Sequence, residues 1–158
     1  MSNESRQELL GRVIHAARLN EAAVDRFDGL ANAALGINRT DSRCLDLVDN
    51  AGGSITAGRL AELSGLTTAA VTAVIDRLEA KGYVRRVRDE QDRRRVLVEQ
   101  TPLVRERVQQ IWGPLGEEGA ALVERFSEDE FRAVIAYFEI SRELNERHAE
   151  RIRGLRFD

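Results

Sequence analysis

Cysteine occurs once in these 158 residues, at Cys44, so no disulfide can close within one chain and no thiolate cluster can hold a metal. Histidine occurs twice, at His15 and His148, far apart and without metal-ligand spacing, so neither marks a metal site and no cofactor is implied. There is no apolar run of about 18 residues or more. The opening Met-Ser-Asn-Glu-Ser-Arg-Gln-Glu also lacks the basic-then-apolar order of a secretory signal. A cytoplasmic protein with no membrane partner is therefore expected. A Gly-rich phosphate loop, a nucleophile elbow and a paired-carboxylate constellation are all missing, and the acidic residues follow helix-surface periodicity; an enzyme is not expected. Low-complexity linkers and internal repeats are missing too. What remains is a chain 42% hydrophobic and 32% charged, ordinary for a globular domain whose stability must come from packing.

The net charge of −3 argues at first against a polyanion as partner, because neutralising phosphates supplies much of nucleic-acid affinity. The distribution reverses that conclusion. Lys81 to Arg95 holds Lys81, Arg85, Arg86, Arg88, Arg93, Arg94 and Arg95 against Asp89, Glu90 and Asp92, a local +4 on a remainder of −7. A basic segment on an acidic body suits a protein that touches DNA with one face.

Helical periodicity runs from Glu4 to about Ala34 through Leu9, Leu10, Val13, Ala17, Val24 and Phe27, and Gly36 supplies a stop. Thr40 offers an N-cap for a short helix with Leu45, Leu47 and Val48, ended by Gly52-Gly53. Thr56 caps a helix over Ala57 to Ser64 that stops at Gly65, and Thr67 or Thr68 begins another with Val71, Val74, Ile75 and Leu78 on its buried side. After Gly82 the period shortens, and residues 83–87 and 96–98 predict a β-hairpin. Thr101-Pro102 restarts a helix, a hydroxyl cap with proline where no N–H is needed, and its apolar side is Val104, Val108, Ile111, Leu115 and Leu122. Gly113-Pro114 is expected to kink or split it. Ser127 to Glu130 forms a capping box ahead of a last amphipathic helix bearing Phe131, Val134, Ile135, Phe138 and Leu144. The fold expected is mainly α (α+β): a lobe over 40–101 between long helices in 1–36 and 102–158 that lack partners of matching length and are read as dimerisation helices.

Within the lobe lies a helix-turn-helix. Ala61 is the small residue where two helices touch, Gly65 the turn residue tolerating positive φ, and Leu66, Val71 and Val74 the apolar supports. Followed by a basic hairpin, the arrangement is a winged helix-turn-helix, and the partner expected is double-stranded DNA. The second helix offers Thr67, Thr68, Ala70, Thr72 and Ala73 to base edges and thymine methyls, with Arg77 toward the backbone. On the hairpin, Arg86, Arg88, Arg93, Arg94 and Arg95 supply charge for phosphates or a narrow minor groove, with Asp92 orienting an arginine.

Gly65-Leu66-Thr67-Thr68-Ala69-Ala70-Val71-Thr72, Asp76-Arg77-Leu78-Glu79, Gly82-Tyr83-Val84 and Asp92-Arg93-Arg94 together resemble the MarR family of regulators, closely over Thr40 to Pro102. Where that family usually has Asp-Pro in the wing this chain has Asp89-Glu90, and its usual Leu-Thr at the hairpin end reads Glu99-Gln100-Thr101. The resemblance implies a homodimer on a pseudo-palindromic operator, usually a repressor, often released by a small aromatic or lipophilic ligand. His15, Arg43 and Trp112 are candidates to line such an effector pocket. Two other readings stand beside this one: a winged helix used for protein contact, and a thiol-based redox regulator. The second is weakened because nothing near Cys44 except Arg43 would activate a thiol.

Overall fold

The computed structural model describes residues 5–89, 92 and 95–157. Glu90, Gln91, Arg93 and Arg94 of the wing tip lie outside the described residues. The chain divides into two compact units, residues 1–111 and 112–158.

The first unit opens with helix α1 (Arg6–Leu35), capped by Ser5 and Glu8 in a reciprocal box and closed by Gly36 at φ 64°. Helix α2 (Arg39–Asn50) follows, and its cap is Asn38, whose side chain accepts from the Asp41 N–H at 2.9 Å. The expected cap Thr40 sits instead inside the first turn. Both residue types cap well, but Asn38 already has the extended backbone a cap requires, at φ −95° and ψ 171°. Strand β1 (Ser54–Thr56) precedes helix α3 (Ala57–Ser64), which Thr56 caps, and helix α4 (Thr68–Ala80) is capped by Thr67. The turn between them is made by Gly65 at φ 70°, as expected.

Strands β2 (Val84–Arg88) and β3 (Val96–Gln100) form the hairpin, with Arg86 opposite Val98. The sequence reading missed β1, which pairs antiparallel with β3 through Ile55 opposite Val98 and completes a sheet of order β1-β3-β2. Val98 is buried, whereas the outer end of β3, at Val96, is exposed. The core fills the space between sheet and helices with Leu45, Val48, Leu60, Val71, Val74, Ile75, Leu78, Tyr83, Val84 and Val104, all buried. Tyr83 ties three elements together. Its hydroxyl donates to the Leu35 carbonyl at 2.8 Å, satisfying an orphan acceptor at the end of α1, and accepts from Arg107 at 2.7 Å.

Gly65 is required for its backbone and not for space. A Cβ built there meets nothing within 4 Å, but φ lies in the left-handed region. Gly65→Ala is therefore expected to cost about 1 kcal/mol in thermal melts, and Gly65→Asn less, because asparagine tolerates that region. A larger loss for Asn than for Ala would contradict this account.

Helix α5 (Pro102–Leu122) begins where Thr101 donates to the Gly82 carbonyl at 2.6 Å and accepts from Val104 N–H at 3.4 Å. Of the kink or split expected at Gly113-Pro114, the split does not occur: α5 is one helix through Pro114. The residue before the proline is Gly113, and without a Cβ it escapes most of the clash that drives pre-proline residues out of the helical region.

The second unit holds the end of α5, a single 3-10 turn (Val123–Arg125) and helix α6 (Glu128–Ile152). The capping box at Ser127 and Glu130 is present. The backbone N–H and then the hydroxyl of Ser127 hold the Glu130 carboxyl below its ordinary range. Phe126 and Phe131 meet edge to face at 5.7 Å across the cap, a hydrophobic staple fixing how the chain enters the helix. None of the described residues of this unit is buried. Ile135, Phe138 and Ile140 are 55%, 59% and 67% exposed, and on α1 Leu10, Leu19 and Leu30 are likewise uncovered.

Candidate nucleic-acid interface

The buried stripe of α4 is Val71, Val74, Ile75 and Leu78, which turns Thr68, Ala69, Thr72, Ala73 and Asp76 outward together. Of the expected contact residues, Thr67, Thr68, Thr72 and Ala73 lie on this exposed side, while Ala70 is half-buried. Ala69, which the sequence reading passed over, is the exposed alanine. Continuing the i, i+4 pattern back from the buried Val74 and Ile75 marks Ala70 and Val71 as the inward side, and leaves Ala69 outside.

Hydroxyl roles divide along the helix. Thr67 accepts from the Ala70 N–H at 3.2 Å and so holds the helix start. Thr72 donates to the Thr68 carbonyl at 2.9 Å. The face is small, uncharged apart from Asp76, and shaped for close approach to a groove.

Two of the arginines expected to meet DNA pair with carboxylates. Arg77 sends Nε to both oxygens of Asp41 at 3.2 Å and Nη2 to Oδ1 at 2.5 Å. The Asp41 side chain is only 4% exposed and the Arg77 side chain 47%. Hydrogen bonding to Asp41 raises the guanidinium pKa further, and the pair ties α4 to α2. Arg86 reaches from β2 to Asp76 Oδ1 at 2.5 Å and also to Glu79, whose carboxylate accepts the Arg86 backbone N–H at 3.0 Å as well. The wing strand is thereby fastened to α4, and Asp76 is neutralised on the outward face. These partners stand 36 and 10 residues apart in sequence, beyond the reach of any local pattern.

Arg88 and Arg95 are exposed on the hairpin. Just past the end of β2, the Asp89 carboxylate accepts from the Asp92 N–H at 3.4 Å and lies 3.7 Å from the Arg95 guanidinium. Asp89 thus stands beside Arg95 as Asp92 is expected to stand beside an arginine of the wing. Arg93 and Arg94 fall outside the described residues.

Cys44 is fully buried, and desolvation, followed by the nearby charge of Asp41, raises its thiol pKa. A neutral, covered thiol is a poor nucleophile. N-ethylmaleimide is expected to leave Cys44 unmodified in the folded protein and to label it once urea unfolds the chain; equal rates would show an accessible thiol. His15 is exposed on α1 and does not line the groove beside Arg43. Trp112 is half-buried and belongs to the second unit. Among the described residues no helix is long and apolar enough to cross a membrane, and no group of three or more His, Cys, Asp or Glu is placed to hold a metal.

A three-helix core, a helix-turn-helix with an outward face of small residues and a hairpin wing define a winged helix-turn-helix DNA-binding protein. A sequence profile described as the MarR family matches residues 35–95. The chain is 32% identical over 152 residues to the uncharacterized HTH-type transcriptional regulator YcgE of Bacillus subtilis (strain 168), covering 96% of this chain and 98% of that one. It belongs to the MarR family of DNA-binding transcriptional regulators, which are not enzymes. Among solved structures, apo wild-type MarR from E. coli is 25% identical with a TM-score of 0.55, the match covering 84% of this chain and 96% of that one. MepR of S. aureus, solved in complex with DNA, is 20% identical with a TM-score of 0.59, over 82% and 95% of the two chains, a likeness of fold alone.

Proposed function

We propose that this regulator works as a homodimer that represses transcription from a pseudo-palindromic operator in the cytoplasm and is released by a small aromatic or lipophilic ligand. The observation that carries the DNA-reading part is the outward face of α4, where Thr68, Ala69, Thr72 and Ala73 offer hydroxyls and methyls with no bulky side chain in the way. Such residues suit direct readout of base edges and thymine methyls in a major groove. Dimerisation is supported by the uncovered apolar residues of α1 and α6, since exposed apolar patches of this kind mark interaction surfaces. Two copies would set recognition helices about 34–36 Å apart, one helical turn of duplex.

Within this reading Arg88, Arg93, Arg94 and Arg95 carry the wing's charge to the flanking backbone or minor groove, whereas Arg77 and Arg86 act by positioning α4 and the wing. Effector release rests on family membership, with His15, Arg43 and Trp112 as the residues to probe. A ligand shifts DNA affinity only by its differential affinity for two conformations, so a panel of aromatic acids, phenols and lipophilic compounds that never changes operator affinity would remove this part.

Selection of bound sequences from a random duplex pool tests the main reading, with Arg94→Ala and Thr72→Val in parallel. A two-fold symmetric motif is expected. Arg94→Ala should weaken binding to all sequences, and Thr72→Val should change preference among them, because backbone contacts position and base contacts specify. No enrichment even at low salt would favour a winged helix that meets an acidic protein partner.

A further inference from the structure

A groove of about 200 Å³ opens beside the start of the recognition helix, lined by Arg39, Thr40, Arg43, Cys44, Ser64 and Leu66. Leu66 stands one residue before Thr67, the cap of α4, so one wall of the groove is the turn that leads into the DNA-reading face. The other wall is the first turns of α2, where Arg39 and Arg43 are spaced i, i+4 and therefore project from the same side of the helix. Both arginines are exposed. The floor is Cys44, whose thiol burial keeps neutral. Among the described residues, the carboxylate that pairs with these arginines is Asp25, 3.0 Å from Arg39 and itself 56% exposed, a contact that water competes for readily. Asp41 lies on the same helix but is turned inward and bound by Arg77.

We infer that this groove is a seat for one backbone phosphate of duplex DNA, bound by Arg39 and Arg43 with the Thr40 hydroxyl beside them. The inference rests on the reading of α4 as the helix that enters the major groove. Once that helix is inserted, a phosphate row at the groove's edge passes the side of the lobe that carries Ser64 and Leu66, the turn ahead of the α4 cap. The hairpin follows the C-terminus of α4, and the seat meets the turn before its N-terminus, while the first turn of α2 is also held to Arg77 through Asp41. A phosphate contact on α2 beside one on the wing limits how the helix can tilt in the groove. The sequence reading counted only the basic run at 81–95 and set Arg43 toward an effector, because Arg39 and Arg43 are diluted by acidic neighbours along the chain and are joined to Ser64 and Leu66 only by folding.

The test uses the full chain, the selected operator duplex, and the double variant Arg39→Gln and Arg43→Gln. Glutamine keeps the helix propensity, and both positions are exposed, so an unchanged melting temperature is the check on folding. The variant is expected to lower affinity by about tenfold for specific and random duplexes alike, and to reduce the slope of log affinity against log salt by about 0.9 for each seat emptied. A series of duplexes, each with one neutral methylphosphonate linkage, locates the phosphate: the wild type should lose affinity at one linkage per half-site, and the variant should be insensitive at that same linkage. If the wild type binds DNA while the variant keeps its affinity, slope and methylphosphonate profile, the seat is overturned and the reading of α4 stands. If the variant differs only in its response to inorganic phosphate at constant ionic strength, the groove takes a free anion and the DNA seat is wrong. A wild type that binds no duplex overturns both.

Discussion

A chain carrying Ile135→Glu and Phe138→Glu is expected to sediment at monomer mass and to bind its operator about a hundredfold more weakly than the wild type, at the low end of the 10²–10⁴ gained by joining two sites. The two residues sit three apart on α6 and are 55% and 59% exposed in the single chain. None of the described residues of residues 112–158 is buried, yet this segment carries Phe126, Phe131, Val134, Ile135, Phe138, Ile140, Leu144 and Ile152. A helix of this composition gains little by standing alone in water, since most helical stability in proteins comes from packing an apolar face. In the proposed homodimer a second copy would cover that face, and a buried glutamate would oppose it strongly. The winged lobe should survive the change, because its core lies within residues 1–111; retained near-native helicity with halved mass is the pattern to look for. A variant that remains dimeric would remove α6 from the interface.

The sequence disclosed what is written locally. Helix ends at Gly36, Gly65 and Gly82, caps at Thr56 and Ser127, a cap at Thr67 or Thr68, and the period-two runs of the hairpin all depend on residues a few positions apart; the structure has these ends and caps, chooses Thr67, and sets the strands at Val84–Arg88 and Val96–Gln100, where 83–87 and 96–98 were expected. What was missed depends on distant partners. Strand β1 is a three-residue stretch, Ser54–Thr56, with no alternation long enough to read, and it exists because β3 offers an open edge. Asn38 caps the helix in place of Thr40, with an extended backbone and a side chain that accepts from the Asp41 N–H. Arg77 and Arg86 looked identical to the wing arginines in composition, and only folding brings Asp41, Asp76 and Glu79 to them. Charge counting marked a basic segment but could not show that Arg77 and Arg86 pair with carboxylates.

That distinction sets the second large effect. Asp41→Asn is expected to cost about 2 kcal/mol, the worth of hydrogen bonds to a charged group in a covered site, because the Asp41 side chain is 4% exposed and receives three contacts from Arg77. Arg77→Ala should destabilise more than Asp41→Asn, since it leaves the carboxylate buried without its cation, and removing one member of such a pair is worse than neutralising it. The double variant should then be more stable than the sum of the single losses predicts, the mark of two groups acting on each other. Urea melts of the three variants measure this cycle directly. The DNA side of the same experiment separates positioning from contact. If Arg77 serves to hold α4 against α2, Arg77→Ala and Asp41→Asn weaken operator binding in the same way and leave the salt slope unchanged, because neither removes a phosphate contact. If Arg77 instead reaches a phosphate with the exposed half of its guanidinium, Arg77→Ala alone reduces the slope by about 0.9, and Asp41→Asn, which frees the arginine, keeps it.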